Sequence, residues 1–157
     1  SLIGVYSPTL CRPMAEVLKQ LGSEHVMVVH SEDGLDEISI AAPTAVAELR
    51  EGVITQYTLD PADVGIKNGS LEGLSVSSVE ESLALIQGAL RGDTSDVAQR
   101  AASIVQINAG AAIYVSGVAN TLQDGMQMAD DAIAGGAAWQ KVEEFAQFTR
   151  LCAESGS

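Results

Sequence analysis

Positively charged residues are scarce in this sequence. Its 157 residues include 8 lysines and arginines against 21 aspartates and glutamates, which gives a formal net charge of −13. Because basic surfaces bind nucleic-acid phosphates and anionic lipid headgroups, this balance excludes partners of both kinds. The acidic residues are spread along the chain without a long run, so an acidic tail is excluded as well.

Aromatic residues, cysteines and long apolar runs are also scarce. Aromatic residues make up only 4% of the chain, so stacking platforms for nucleic-acid bases are not expected. The two cysteines, Cys11 and Cys152, lie far apart among helix-like residues, which is typical of reduced thiols. No apolar run reaches the ~18 residues of a membrane-spanning helix, and the first residues lack the pattern of a signal peptide. We therefore expect a cytoplasmic protein with no membrane contact.

Hydrophobic residues, by contrast, make up 46% of the chain. A chain of this length typically buries about 68–70% of its unfolded surface, so it can form a core without disulfides or a structural metal. Neither an internal repeat nor a linker divides the sequence. We therefore expect a single domain over residues 1–157, with strands and a crossover helix in 1–66 and helices in 78–152.

The first half alternates between strand and helix patterns. Apolar runs at Leu2–Tyr6 and His25–His30 are typical of buried strands. The apolar stripe between them predicts a helix, and a strand–helix–strand unit of this length predicts a parallel pair. A short extended piece is expected at Glu37–Ile40. Segments Thr44–Arg50 and Val53–Leu59 then predict an antiparallel hairpin.

The second half predicts four helices, over 78–91, 96–117, 121–134 and 137–151. The first begins at a capping box, Ser78-Val79-Glu80-Glu81. We expect the Ser78 hydroxyl to accept from the Glu81 amide, and the Glu81 carboxylate to accept from the Ser78 amide. Together, the two halves predict an α/β fold with an open, mainly parallel sheet, an antiparallel hairpin and a C-terminal group of helices.

The most acidic segment follows the second predicted strand. Residues 31–37, which we call the acidic loop, hold four carboxylates within six positions: Glu32, Asp33, Asp36 and Glu37. Open parallel sheets bind ligands beyond the carboxyl ends of their strands, where this loop is expected. Carboxylates can hold Mg²⁺ there, and a cation would relieve the repulsion between the neighbours Asp36 and Glu37. The alternative interpretation is a solvated acidic turn, which is the more frequent outcome for such a pattern.

Other catalytic patterns are missing from the sequence. It has no Gly-x-Ser-x-Gly motif, and neither cysteine has a histidine signature nearby. Glycine-rich phosphate loops of the Rossmann and P-loop types are missing too. His30 ends the second predicted strand, a position where a structural hydrogen bond is more common than a catalytic role. We therefore assign no catalytic residue. The acidic loop offers a metal site, but the sequence offers no groups that would bind the phosphates of a substrate.

Several segments of the chain together match the pattern of one known family. The most specific is 28–39, which contains the string Asp33-Gly34-Leu35-Asp36-Glu37-Ile38-Ser39. Weaker similarities follow in the order of that family at 2–6, 12–15, 57–61, 108–115 and 132–138. In these segments the chain resembles the anthranilate phosphoribosyltransferase family. The resemblance covers almost the whole chain and implies the nucleoside phosphorylase/phosphoribosyltransferase type of fold.

The resemblance also implies a reaction. Members of this family transfer phosphoribosyl from phosphoribosyl pyrophosphate to the amino group of anthranilate, in tryptophan biosynthesis. Asp36 and Glu37 match the family's magnesium-binding pair, which implies Mg²⁺ as the cofactor; no other functional residue is carried over. Metal stabilisation of the pyrophosphate leaving group is consistent with this chemistry. The resemblance further implies a homodimer for the complete protein.

The sequence departs from the family pattern in several respects. The family has an N-terminal helical region, a glycine-rich phosphate loop, a Lys-His-Gly-Asn segment and an anthranilate-binding arginine, and none of them is found here. Ser31 also stands where the family commonly has glycine. We therefore expect a partial domain, the C-terminal portion of the enzyme, that is inactive alone.

Two alternatives remain open. The first is a nucleoside phosphorylase-like relative of the same fold, which would use phosphate and would not need the Asp36–Glu37 pair. The second is a non-catalytic binding module of the same fold, with which the missing phosphate loop is consistent.

Overall fold

The computed structural model of the chain describes residues 1–67 and 69–155, which form one sheet and five α-helices. The strands are β1 (Leu2–Gly4), β2 (His25–Ser31), β3 (Thr44–Arg50) and β4 (Val53–Leu59). The helices are α1 (Cys11–Gln20), α2 (Val79–Arg91), α3 (Asp96–Val115), α4 (Leu122–Ala134) and α5 (Ala137–Ser155). Short 3₁₀ turns lie at Pro8–Leu10 and Pro61–Val64. No helix of these residues is both long and apolar enough to span a bilayer.

The four strands lie side by side in chain order. β1 runs parallel to β2, with Leu2 opposite Met27, because α1 carries the chain back between them. The predicted hairpin is confirmed: β3 and β4 pair antiparallel, with Arg50 opposite Val53. The α/β class and the C-terminal group of helices are confirmed as well.

The sheet is mixed rather than mainly parallel. Of the three strand pairings in the described part of the chain, only β1–β2 is parallel. β3 turns back along β2, because the connection over residues 32–43 contains no crossover helix that would return the chain to the starting edge. The extended piece predicted at Glu37–Ile40 forms no strand. Instead, Ile38 and Ile40 are 1% and 2% exposed and anchor this connection in the core.

The core lies on both faces of the sheet. Val26 and Val28 point to the α1 side, whereas Met27 and Val29 pack in the cluster that includes Ile107 of α3. All five residues are fully buried. The continuous apolar run in β2 therefore reflects a strand that is covered on both faces, as predicted.

The start of α2 differs from the predicted capping box in one contact. The Ser78 hydroxyl accepts from the Glu81 amide at 3.1 Å, as expected. The Glu81 carboxylate, however, accepts from the amide and the hydroxyl of Ser77, both at 2.9 Å. Ser77 offers two donors to one carboxylate oxygen, whereas the Ser78 main chain offers a single donor. The expected bond to the Ser78 amide is therefore replaced.

Candidate functional site

The acidic loop leaves the carboxyl end of β2 and passes over the end of β1. Gly4 is the last residue of β1, and a Cβ atom there would overlap the carbonyl oxygen of Asp36. The Asp36 main chain therefore lies directly against the β1 terminus. Because β1 and β2 are parallel, the loop occupies their common carboxyl edge, where open α/β sheets bind ligands.

Backbone hydrogen bonds give the acidic loop its shape. The Ser31 amide donates to the Leu35 carbonyl at 2.9 Å, and the Gly34 amide donates to the Ser31 carbonyl at 3.0 Å. Gly34 has a φ of 92°, a left-handed conformation that glycine adopts without strain. The Glu32 amide donates to the Pro43 carbonyl at 2.9 Å. These contacts make the loop a tight turn in which the main-chain positions of the acids are defined.

One of the four carboxylates, that of Asp33, is engaged inside the loop. It accepts from the hydroxyl of Ser39, which is fully buried, and from the amide of Leu35. Burial raises the pKa of Asp33, but hydrogen bonds from Ser39, Ser31 and the Leu35 amide outweigh it, so the pKa lies below its usual range. Asp33 is therefore an ionised structural acceptor that ties the acidic loop to the segment that follows it.

Asp36 and Glu37 have the opposite environment. Neither carboxylate has a hydrogen bond or ion pair among the residues that the structure describes; Asp36 is exposed and Glu37 is half-buried. Burial, followed by the negative charges of Asp36 and Asp33, raises the pKa of Glu37. The ionised pair is thus electrostatically unfavourable, and a bound cation would lower its energy.

The donor set of this pair is suited to magnesium rather than to a metal that the protein encloses fully. Within 1–67 and 69–155, no group of three or more His, Cys, Asp or Glu side chains is close enough to hold a metal ion. Mg²⁺ usually keeps several waters and binds one or two carboxylates together with substrate phosphates. Two adjacent, unpartnered carboxylates at an open edge fit that mode of binding.

His30 lies near the loop and makes a structural contact. Its Nδ1 is 2.8 Å from the carbonyl oxygen of Val5, and because a carbonyl only accepts, Nδ1 is the donor. The bond ties the end of β2 to the segment that follows β1. His30 therefore helps to fix the strand ends under the acidic loop.

Asn108 of α3 also contacts this region, although its sequence position does not single it out. Its Oδ1 accepts from the Ile38 amide at 3.0 Å, and its Nδ2 donates to the Ile38 carbonyl at 2.9 Å. Ile38 directly follows Glu37, so the amide reaches the main chain beside the acidic pair. The signals in the sequence are weak: Asn108 is one of two side-chain amides, with Gln106, in the mostly apolar middle of α3, and it begins the segment 108–115 that resembles the family.

The sequence is similar to known transferases along nearly all of its length. A family described as "Glycosyl transferase family, a/b domain" matches residues 1–139. The anthranilate phosphoribosyltransferases of Teredinibacter turnerae and Saccharophagus degradans are 59% and 62% identical to this chain over 150 residues. Each alignment covers 96% of this chain but 44% of the relative. The chain therefore spans less than half the length of these relatives.

Solved structures of longer proteins contain a similar fold over part of their length. The crystal structure of anthranilate phosphoribosyltransferase from Thermus thermophilus has a TM-score of 0.81 at 35% identity, covering 94% of this chain and 42% of that one. The Saccharomyces cerevisiae enzyme in complex with PRPP and Mg shares the fold, with a TM-score of 0.76 at 22% identity, over 92% of this chain and 41% of that one. The resemblance found in the sequence is thereby confirmed, and the chain belongs to the glycosyl transferase family that this α/β domain defines.

Proposed function

We propose that this chain is part of an anthranilate phosphoribosyltransferase, in which Asp36 and Glu37 hold Mg²⁺ for the phosphoribosyl pyrophosphate substrate. The observation that carries the proposal is the unpartnered carboxylate pair at the carboxyl edge of β1 and β2. Relatives at 59% and 62% identity bear the name of this enzyme, and a fold neighbour is a complex with PRPP and Mg. Phosphoribosyl pyrophosphate and anthranilate are therefore the proposed substrates.

The proposed reaction requires Asp36 and Glu37 to hold a metal ion and does not require them to act as a base. The C1–O bond of the ribose breaks, the pyrophosphate leaves with the bonding electrons, and the anthranilate nitrogen forms the new bond to C1 and loses a proton. When bound, Mg²⁺ would neutralise charge that develops on the leaving pyrophosphate. Asp36 and Glu37 bind and orient; neither is required to take the proton, because an aromatic amine is already neutral near pH 7.

The acidic loop supplies negative charge only, whereas a phosphoribosyl pyrophosphate site also needs donors and cations for the phosphate oxygens. We place those groups in the part of the longer relatives that the alignments leave uncovered. On this proposal the chain forms one portion of the α/β domain, and it is inactive by itself. For the whole protein we propose a cytoplasmic homodimer.

Substitution of the pair in the whole protein tests the proposal. Asp36→Asn combined with Glu37→Gln should lower Mg²⁺-dependent formation of phosphoribosyl anthranilate by about 10²–10³-fold, the size typical of losing a group that stabilises developing charge. Glu32→Gln is the matched control, because it removes a carboxylate of the same loop that lies outside the proposed pair and should leave turnover unchanged. Unaltered Mg²⁺-dependent turnover in the double variant would remove the metal assignment.

The same assay separates the alternatives. Phosphate-dependent cleavage of a nucleoside, without turnover of phosphoribosyl pyrophosphate, would favour the phosphorylase-like relative. A folded whole protein that turns over neither substrate would favour the binding module.

A further inference from the structure

We infer that Asn108 is a positioning residue that holds the Asp36–Glu37 pair in its binding geometry through the main chain of Ile38. This inference rests on the proposed function of the pair. The evidence lies in how completely the side-chain amide is engaged. Its Oδ1 accepts from the Ile38 amide at 3.0 Å, and its Nδ2 donates to the carbonyls of Ile38 at 2.9 Å and Ile104 at 3.1 Å.

These three contacts define the orientation of the amide. Two of the neighbours are carbonyl oxygens, which can only accept, and the third is an N–H group, which can only donate. A flipped amide would place its oxygen against both carbonyls and its NH₂ group against the Ile38 N–H. The bond to the Ile104 carbonyl, one helical turn back in α3, anchors the amide to the rigid helix.

The two bonds to Ile38 restrain the residue that precedes it. The Ile38 N–H belongs to the peptide unit that starts at Glu37, and the Ile38 carbonyl belongs to the next unit. Holding both units fixes the dihedral angles of Ile38 and, with them, the position of the Glu37 Cα atom. The Ile38 side chain is 1% exposed and fixed in the core, so it adds a third restraint.

The pair is thus supported from both sides. The Asp36 carbonyl lies against Gly4 of β1, and the peptide after Glu37 is held by Asn108 of α3. Two adjacent carboxylates repel each other, so an unsupported loop would relax away from the arrangement that a metal needs. Groups that orient metal ligands in this way typically change metal affinity by about 10–100-fold when they are removed.

The test compares Mn²⁺ binding by variants of the whole protein, with Mn²⁺ as the probe because it also prefers carboxylate and water ligands. Electron paramagnetic resonance measures the free ion during a titration. The site is defined as the binding that the Asp36→Asn/Glu37→Gln variant lacks. Asn108→Ala removes all three bonds, whereas Asn108→Asp keeps the acceptor for the Ile38 amide and removes the donors. Both should weaken binding at this site by roughly tenfold.

Tyr114→Phe is the control for a loss of stability alone. It removes hydrogen bonds of the same helix to Glu48 and Arg50, away from the acidic loop, and should bind Mn²⁺ as the parent does. Parent-like binding in the Asn108 variants would overturn the inference while leaving the pair intact. If the parent binds no Mn²⁺ through Asp36 and Glu37, the proposed metal site fails and the inference fails with it. If Asn108→Ala does not fold, Mn²⁺ binding by Asn108→Asp alone tests the inference.

Discussion

The main chain of Asp36 lies against Gly4 so closely that even a methyl group on Gly4 would overlap the Asp36 carbonyl oxygen. The two residues are far apart in sequence, and their contact joins the end of an edge strand to the acidic loop. The absence of a side chain at Gly4 is therefore a requirement of the candidate site rather than of the strand itself.

Gly4→Ala should displace the acidic loop. Because the neighbouring atoms are backbone, the methyl group can be accommodated only by a main-chain shift. We expect a loss of about 1–3 kcal/mol in the free energy of unfolding, typical of overpacking. In the whole protein, the Mn²⁺ binding that depends on Asp36 and Glu37 should weaken as well. Urea unfolding and Mn²⁺ titration measure the two effects.

The matched control for this prediction is Gly88→Ala in α2. A Cβ at Gly88 would lie 3.4 Å from the Cβ of Ala98, an ordinary contact, and alanine favours helix over glycine. This variant should retain parent-like Mn²⁺ binding and should not lose stability. If Gly4→Ala also retained parent-like Mn²⁺ binding and stability, the close approach of Asp36 to Gly4 would be unimportant for both metal binding and folding.

Asp33 should make stability depend on pH in the acidic range. Its pKa is lower in the folded chain than in the unfolded one, because hydrogen bonds from Ser39, Ser31 and Leu35 outweigh burial. The stabilisation is therefore present above the unfolded pKa and is lost as the pH falls through the folded pKa. Relative to Asp33→Asn, the parent should be more stable at about pH 6, and the difference should be smaller at about pH 3, where protonation of the carboxylate begins.

Urea unfolding of the parent and of Asp33→Asn at the two pH values measures this difference directly. Glu32→Asn removes a charge from the adjacent position without touching the Ser39 contact, and it serves as the control. A parent–variant difference that stayed constant over the acidic range would show that the Asp33 carboxylate is not held in its ionised form by the loop.

A second polar cluster lies at the other end of β2 and is expected to act on stability alone. Glu48 accepts from Tyr114 at 2.8 Å, from Tyr57 at 2.9 Å and from His25 at 2.8 Å, while Arg50 donates to the Tyr114 hydroxyl at 2.9 Å. Burial, together with the Glu48 carboxylate, raises the pKa of both tyrosines, so their hydroxyls remain donors. The cluster ties α3 to β3.

Tyr114→Phe should lower the free energy of unfolding by about 1–2 kcal/mol, because it leaves a Glu48 oxygen and an Arg50 donor without this partner. Thermal or urea unfolding measures the change. Tyr6→Phe is the control: Tyr6 is 84% exposed, and the substitution should change stability by less than about 0.5 kcal/mol. Equal stability of the two variants would mean that the hydrogen bonds of the Tyr114 hydroxyl contribute nothing to the stability of the fold.

The elements of this fold were largely predictable because their signals are local. The cap at Ser78 and the two alternating segments around Arg50 and Val53 define a helix start and a hairpin from adjacent residues. The course of Glu37–Ile40 was not predictable in this way. Its main chain bonds to a side chain 70 positions away, Asn108, instead of to a neighbouring strand.

The candidate site, like the fold, was predictable only where local sequence signals define it. From the sequence, all four carboxylates of the acidic loop are candidates, and Asp36 and Glu37 are favoured by the repulsion between these neighbours and by the resemblance to a family. The structure separates Asp33 from the others through the buried hydroxyl of Ser39. Burial of a serine depends on the packing of Ile38 and Ile40 in the core, so no pattern within the loop indicates it.

The 157-residue chain alone should not catalyse phosphoribosyl transfer, even at saturating Mg²⁺ and with both substrates present. The acidic loop carries four carboxylates, and a pyrophosphate group near it would be repelled unless cationic or N–H donors from elsewhere completed the site. The measurement is fluorescence-detected consumption of anthranilate by the purified chain, with the whole protein as the positive control. Mn²⁺ titration of the same sample shows whether the Asp36–Glu37 pair binds metal independently. Turnover by the chain alone would contradict the proposal that the phosphate-binding groups lie outside it.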